Sequence, residues 1–249
     1  MIHGGPPYMV EDGMVFGVDA ANPRSYPGSG ATWYDLSDNG HHLTMTGSLT
    51  WNGMGFSNWS AGSYFEDSDF RNSNIFPDGD DDRTIIAAVT LASDAATYRH
   101  IAHYGTPIED QAFGLAIYNN KPDNNTWNAG YFADDITLST GNSYFIAHTY
   151  ADQTGVFMVN NLLSASVEQQ GAHTAPYTLN TVTDYTHPEL PQNNSRFRIG
   201  CRIYTTGETF EQTGIIHSVY LYNRVLTPQE LERNFISIQA RLGLFAWRN

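Results

Sequence analysis

From Gly13 to Asn223 the sequence keeps returning to one kind of segment: a short run of β-branched and aromatic residues closed by Gly, Pro, Asn or Asp. GMVFGVDA, TIIAAVTLAS, YRHIAHYG, AFGLAIYN, SYFIAHTYA and GIIHSVYLYN are the plainest cases. Such runs read as strands because branched and ring side chains suit a pleated surface, while the punctuating residues supply turns. ATWYDLS and HHLTMTGSLTW are separated by Asp38-Asn39-Gly40, a turn signal. Asn160-Asn161, inside VFMVNNLLSASVE, can take positive φ and is expected to close a tight hairpin. No helical period alternates with the strands. The expected class is therefore all-β, a two-sheet antiparallel jelly-roll sandwich.

One helix is expected, near the end. Thr227-Pro228-Gln229-Glu230 holds an N-cap, a proline at the first helical position and a glutamate placed to close a capping box. Leu231, Phe235, Ile238 and Leu242 follow as one apolar stripe, and Gly243 supplies the terminating residue. The stripe over 227–242 must lie on apolar surface that the sheets leave open. The stretch from residue 170 to 194, rich in proline and poor in strand pattern, is expected to be a long loop, and loops of that length are usually functional or disordered.

With 249 residues the chain can bury a sizeable core without staples, and it reads as one domain from residue 13 preceded by an arm over 1–12. Twenty-six Asp and Glu against 12 Lys and Arg give a net charge of −14, which repels nucleic acid and anionic lipid. The single cysteine, Cys201, excludes a disulfide within the chain and reads as a buried thiol. MIHGGPPYMVEDG has neither a basic start nor an apolar core, so no signal peptide is expected, and no apolar run is long enough to span a membrane.

Two end motifs carry a family resemblance. MVFGVDAANPRSYPGSGATWYDLSDNGHH resembles the opening of laminin-G-like domains of the concanavalin A-like lectin/glucanase superfamily, and RFRIGCRIY with GIIHSVYLYNRVLTPQELERNF resembles their close. The resemblance implies a jelly roll with the terminal helix packed against it. It also implies a structural protein of a tailed-bacteriophage virion: a capsid decoration, head fibre or tail component assembled in the host cytoplasm. The partners so implied are other virion proteins, or further copies of this chain, and a host cell-surface glycan. A lectin-like module outside a virion is the alternative, and a glycoside hydrolase of the same fold the third.

Retaining hydrolysis needs two carboxyls about 5–5.5 Å apart, which this fold supplies from alternate positions of one strand. No such acidic strand is seen. Glu66, Asp67, Asp69, Glu109 and Asp110 sit in loop-like surroundings, so no catalytic residue and no enzyme is expected. Asp78-Gly79-Asp80-Asp81-Asp82 lacks the spacing of a calcium loop and reads as a polar turn. Family members often hold a rim calcium, but no pattern here marks its ligands, and no cofactor is expected. His41-His42 reads as an exposed turn. His100 and His103, three apart, face opposite sides of a regular strand and so are not expected to act together. Sugar binding would use aromatic faces with amide side chains on loops, for which Trp59, Trp127, Asn125 and Asn128 are the candidates. Protein contacts are expected from Ile2, Tyr8 and Met9 of the arm and from Tyr177, Tyr185 and Leu190 of the long loop.

Overall fold

The computed structural model describes residues 8–60, 62–67, 70, 75–93, 98–105, 112–125, 130–133, 135–151, 154–160, 162–163, 167–170, 196–202 and 214–243. The strands before residue 68 are β1 (Met14–Asp19), β2 (Thr32–Trp33), β3 (Leu43–Thr46), β4 (Thr50–Trp51), β5 (Phe56–Ser57) and β6 (Tyr64–Asp67). The middle holds β7 (Arg83–Leu91), β8 (Arg99–Gly105), β9 (Ala112–Tyr118), β10 (Lys121–Asn125), β11 (Gly130–Ala133) and β12 (Ser143–Ala151). Then come β13 (Thr154–Val159), β14 (Leu162–Leu163), β15 (Val167–Gln170), β16 (Arg196–Ile199), β17 (Gly214–Tyr222) and the helix α1 (Pro228–Leu242).

The strands form two antiparallel sheets. One has eight strands, in the order β14-β13-β12-β7-β17-β5-β4 with β1 also paired to β17; the other has nine, in the order β15-β11-β10-β9-β8-β16-β6-β3-β2. Alternation along each strand sorts the side chains. On β7, Ile85, Ala87, Val89 and Leu91 enter the core between the sheets, while Ile86 and Ala88 join a second cluster outside it. This strand is apolar at almost every position because both of its faces are covered. Phe113, Leu115, Ile117, Phe197, Ile199 and Phe65 fill the same core from the nine-stranded side.

Helix α1 covers the outside of the eight-stranded sheet. Thr227 accepts from the Glu230 amide and the Glu230 carboxylate accepts from the Thr227 amide, the expected capping box. Leu231, Phe235, Ile238 and Leu242 are buried against Ile86, Ala88, Phe145, Ala147 and Tyr222. Phe235 meets Phe145 edge-on at 5.6 Å. Gly243 ends the helix at φ 61°, in the left-handed region that glycine enters without strain. Residues 8–12 lie along this helix: the Val10 amide donates to Asn234 Oδ1 (2.8 Å), and Tyr222 donates to the Val10 carbonyl (2.9 Å). Among the described residues no helix is long and apolar enough to cross a membrane.

The polar residues of the opening motif are consumed by architecture. Asp35, 8% exposed, accepts from the amides of Gly17, Ser37 and His41. Ser25 donates to the Tyr34 carbonyl and accepts from the Asp19 amide. Asp19 accepts from Tyr220 and Arg241, which ties β1 to the helix. The residues that carry the family resemblance therefore fasten the first loop to β1.

Several local expectations meet the structure directly. Asn160 has φ 53° at the tip of the β13–β14 hairpin. HHLTMTGSLTW divides into β3 and β4, which belong to different sheets. Lys121–Asn125, a Pro-Asp-Asn stretch with no strand pattern, is nevertheless β10, held between β9 and β11. Pairing on both sides overrides its poor β propensity.

Candidate functional site

The outer face of the nine-stranded sheet, away from the core, is built from polar side chains. Thr32, Thr44, Glu66, Arg198, His103 and Gly114 lie directly opposite one another along one line across β2, β3, β6, β16, β8 and β9. Directly opposed residues share a face. A second line runs from His100 through Ala116 to Asp123. His100 and His103 would point to opposite sides of an even strand, but β8 shifts register between His100 and Ala102, leaving Ile101 as the extra residue. The bulge returns both imidazoles to the outer face, with ring centroids 5.7 Å apart. This corrects the expectation that the two histidines are separated by strand alternation.

The charged end of the face is satisfied. Arg196 donates to Glu66 Oε1 at 2.6 Å and Arg198 to Glu66 Oε2 at 2.5 Å. The Arg198 guanidinium also lies over the Tyr64 ring at 4.2 Å. Glu66 is thus a strand residue with a structural ion pair rather than a loop carboxylate. Asp67, its neighbour, faces the other way and meets His41 Nδ1 at 2.6 Å, so His41 is partly buried rather than an exposed turn residue.

The other end is buried. His100, His103 and Asp123 have no exposed surface. Among the described residues neither ring nitrogen of His103 and neither carboxyl oxygen of Asp123 has a hydrogen-bond partner. Burial pushes the Asp123 carboxyl well above the usual carboxylate range, and the nearby Arg202 charge opposes this only in part. Burial likewise holds both imidazoles well below their ordinary 6.5, with the Arg202 charge acting in the same direction. Beyond Ala116 on β9, Tyr118 stacks on Tyr98 at 4.4 Å, and Tyr98 lies over His100 at 5.8 Å.

Asp123 and Glu66 do not make a two-carboxylate pair. Four strand spacings separate β10 from β6, roughly 19 Å, and Glu66 already holds two arginines.

Of the residues singled out from sequence, Trp59 is a core residue: it is 7% exposed, donates to the Phe56 carbonyl and lies against Gly200. It has no open face for a sugar, because the left-handed turn at Gly200 brings backbone against its ring. Asn125 ends β10, while Trp127 and Asn128 lie outside the described residues, as do Asp69, Glu109 and Asp110. Met9 packs on the helix cluster of its own sandwich, whereas Tyr8 is 81% exposed. Ile2, Tyr177, Tyr185 and Leu190 lie outside the described residues.

The acidic run is a turn wrapped around Arg83. Its guanidinium, with no exposed surface, takes the carbonyls of Pro77, Asp78, Gly79 and Asp81 and the Tyr104 hydroxyl. Backbone oxygens that could face a cation are given to this side chain.

A cleft of about 280 Å³ opens between the arm, β1 and the helix, lined in part by Met9, Met14, Leu36, Tyr220 and Arg241. Its guanidinium is already bonded to Asp19, Ser237 and Tyr220.

No protein-family model and no curated protein sequence matches the chain. Solved structures do. A Trypanosoma rangeli sialidase mutant displaying trans-sialidase activity is 17% identical, with a TM-score of 0.63 over 94% of this chain and 34% of that one. The T. rangeli sialidase in complex with sialic acid is 16% identical, with a TM-score of 0.61 over 96% and 34%. Domain 4 of AbnA, a GH43 extracellular arabinanase from Geobacillus stearothermophilus, in complex with arabinotriose, is 12% identical, with a TM-score of 0.55 over 88% of this chain and 96% of that domain. The chain spans about a third of the sialidase chains it matches and nearly the whole of the arabinanase domain. At these identities the likeness is one of fold. It nevertheless corrects the expectation that the chain is no enzyme: neighbours named for two glycoside hydrolases remove the missing acidic strand as a ground for excluding an enzymatic role.

Proposed function

We propose that this chain is a carbohydrate-interacting β-sandwich of a glycan-recognising or glycan-processing protein, and that the glycan meets the outer face of the nine-stranded sheet. The single observation behind this is the make-up of that face. A stacked, half-buried tyrosine pair lies at one end of a face that also carries His103 and Asp123, whose side-chain polar atoms have no hydrogen-bond partner among the described residues. An aromatic face with a few convergent polar groups is the composition that sugar sites use. The fold likeness to a domain seen with arabinotriose and to a sialidase seen with sialic acid supports the same class of ligand.

The test is a glycan array followed by calorimetry, with arabinotriose and a sialylated trisaccharide included, and a hydrolysis assay on every glycan that binds. Binding that is lost when Tyr118 is changed to Ala supports the assignment. A protein that binds and cleaves no glycan at millimolar concentration defeats it.

Placement in a tailed-phage virion is a finer reading, supported by the resemblance of the two end motifs. Locating the chain on purified particles by cryo-electron microscopy tests it, with other virion proteins or further copies of this chain as its partners.

A further inference from the structure

The cleft of about 280 Å³ between the arm, β1 and the helix has an apolar floor. β1 shifts register between Met14 and Phe16, so Val15 and Phe16 both enter the core while Met14 joins the outer cluster. A Cβ added at Gly17 would lie 2.7 Å from the Tyr220 ring and 3.2 Å from the Met14 sulfur, so the missing side chain lets both lie over β1. Met9 of the arm and Leu36 of the opening loop, each half-buried, extend this floor. Arg241 donates to Asp19, Ser237 and Tyr220, so the hydrogen-bonding capacity of that wall is largely used.

Two charged residues lining the cleft are not used in this way. Glu11 comes from the arm and Arg24 from the loop after β1, and both are exposed. Among the described residues neither side chain has an ion-pair partner, whereas Arg224 holds Asp12 and Glu230, and Arg241 holds Asp19. An unengaged cation and an unengaged anion over one apolar floor complement a ligand that carries both charges beside an apolar group. We propose that the cleft binds a single α-amino acid with an apolar side chain, its carboxylate on Arg24, its ammonium on Glu11 and its side chain over Met9, Met14 and Leu36. A guanidinium presents paired donors that match a carboxylate, and a carboxylate accepts from an ammonium. Covering the half-buried carbon surface drives the association, and methionines adapt to the shape laid on them. The net charge of −14 repels a simple anion but not a zwitterion. The cleft lies at the small end of ligand sites, roughly 300–1,000 Å³, which fits one residue better than a chain. This site is on the other sheet from the proposed glycan face and does not depend on that reading.

The test is calorimetry on the full chain with L-leucine, L-methionine and L-phenylalanine. Leucinamide lacks the carboxylate and N-acetyl-leucine lacks the ammonium, so these two probe the charges separately and stand for the two ends of a peptide. The best amino acid should bind at millimolar concentration or below, and each derivative at least ~10-fold more weakly, the loss expected for one hydrogen bond to a charged group. Arg24→Gln should weaken the amino acid by a similar factor and abolish its preference over leucinamide. Glu11→Gln should do the same with respect to N-acetyl-leucine. Both positions are exposed, so both variants should melt like the parent. Leu36→Trp should block binding by filling the cleft. If no amino acid binds at millimolar concentration, the proposal is wrong. If a derivative binds as well as the amino acid, the cleft takes a peptide end and the assignment to a free amino acid falls. Binding that survives all three substitutions places the ligand elsewhere and also overturns it.

Discussion

The outer faces of the two sheets are built from different residues and meet different fates. On the eight-stranded sheet Ile86, Ala88, Phe145, Ala147 and Met158 lie beneath a helix whose own stripe is Leu231, Phe235, Ile238 and Leu242. On the nine-stranded sheet the corresponding positions are Glu66, Arg198, His103, His100 and Asp123, with only Gly114 and Ala116 between the last three. An apolar face is stable only when covered, and this chain supplies the cover itself. A polar face with unpaired buried groups is costly to keep in a folded protein, which is why such groups concentrate where a ligand completes them. The contrast is the reason for proposing the glycan site on the nine-stranded side.

The comparison breaks most readily at the helix. Phe235→Ala should cost about 3–5 kcal/mol, as for a core phenylalanine, when stability is measured by urea unfolding. A cost below about 1 kcal/mol would make the helix an appendage and leave the eight-stranded face without its seal.

Acid gives the next effect. His148 is packed between Phe113 and Phe157, and burial, assisted by the Arg83 charge, lowers its pKa to about 3 from 6.5. Between those values the unfolded chain binds a proton that the folded one refuses, so stability falls as pH falls, by about 2 kcal/mol from this group between pH 7 and 5. His100 and His103 are lowered too and add to the loss. His148→Leu should therefore remove about 2 kcal/mol of the parent's decline over that interval, measured as the difference in unfolding free energy. Asp123 acts in the opposite sense. Its raised pKa means that stability is lost as pH rises through the folded value, and Asp123→Asn should flatten that limb.

The smallest effect sharpens the comparison most. Ala147 and Ala116 are both buried alanines on outer faces, one under the helix and one beside His100 and Asp123. A serine hydroxyl at 147 lies directly opposite Ile86 and Met158 and should cost about 1–3 kcal/mol. At 116 it can pair with neighbouring polar groups and should cost under ~1 kcal/mol. Equal costs would mean that the two environments are alike.

Much of the fold could be read from local signals, because the interactions that specify them lie within a few residues. The capping box at Thr227 and Glu230, the left-handed Gly243, the Asn160 turn and the apolar alternation of β7 are of this kind. They were enough to expect two sheets and one covering helix. The candidate site was not legible in this way, since each part depends on pairing across distant strands. Lys121–Asn125 looks like a turn and becomes a strand only because β9 and β11 hold it on both sides, and that placement turns Asp123 outward beside the histidines. His100 and His103 share a face only because Ile101 bulges out of β8, and no residue spacing announces a bulge. Trp59, a plausible sugar platform by composition, is claimed by the core through its contact with Gly200. Sequence alone thus determined the elements and which of their faces needed cover, through short-range backbone and side-chain chemistry. The pKa shifts, the buried polar groups and their neighbours were decided by tertiary structure, because burial and cross-strand register exist only once distant segments meet.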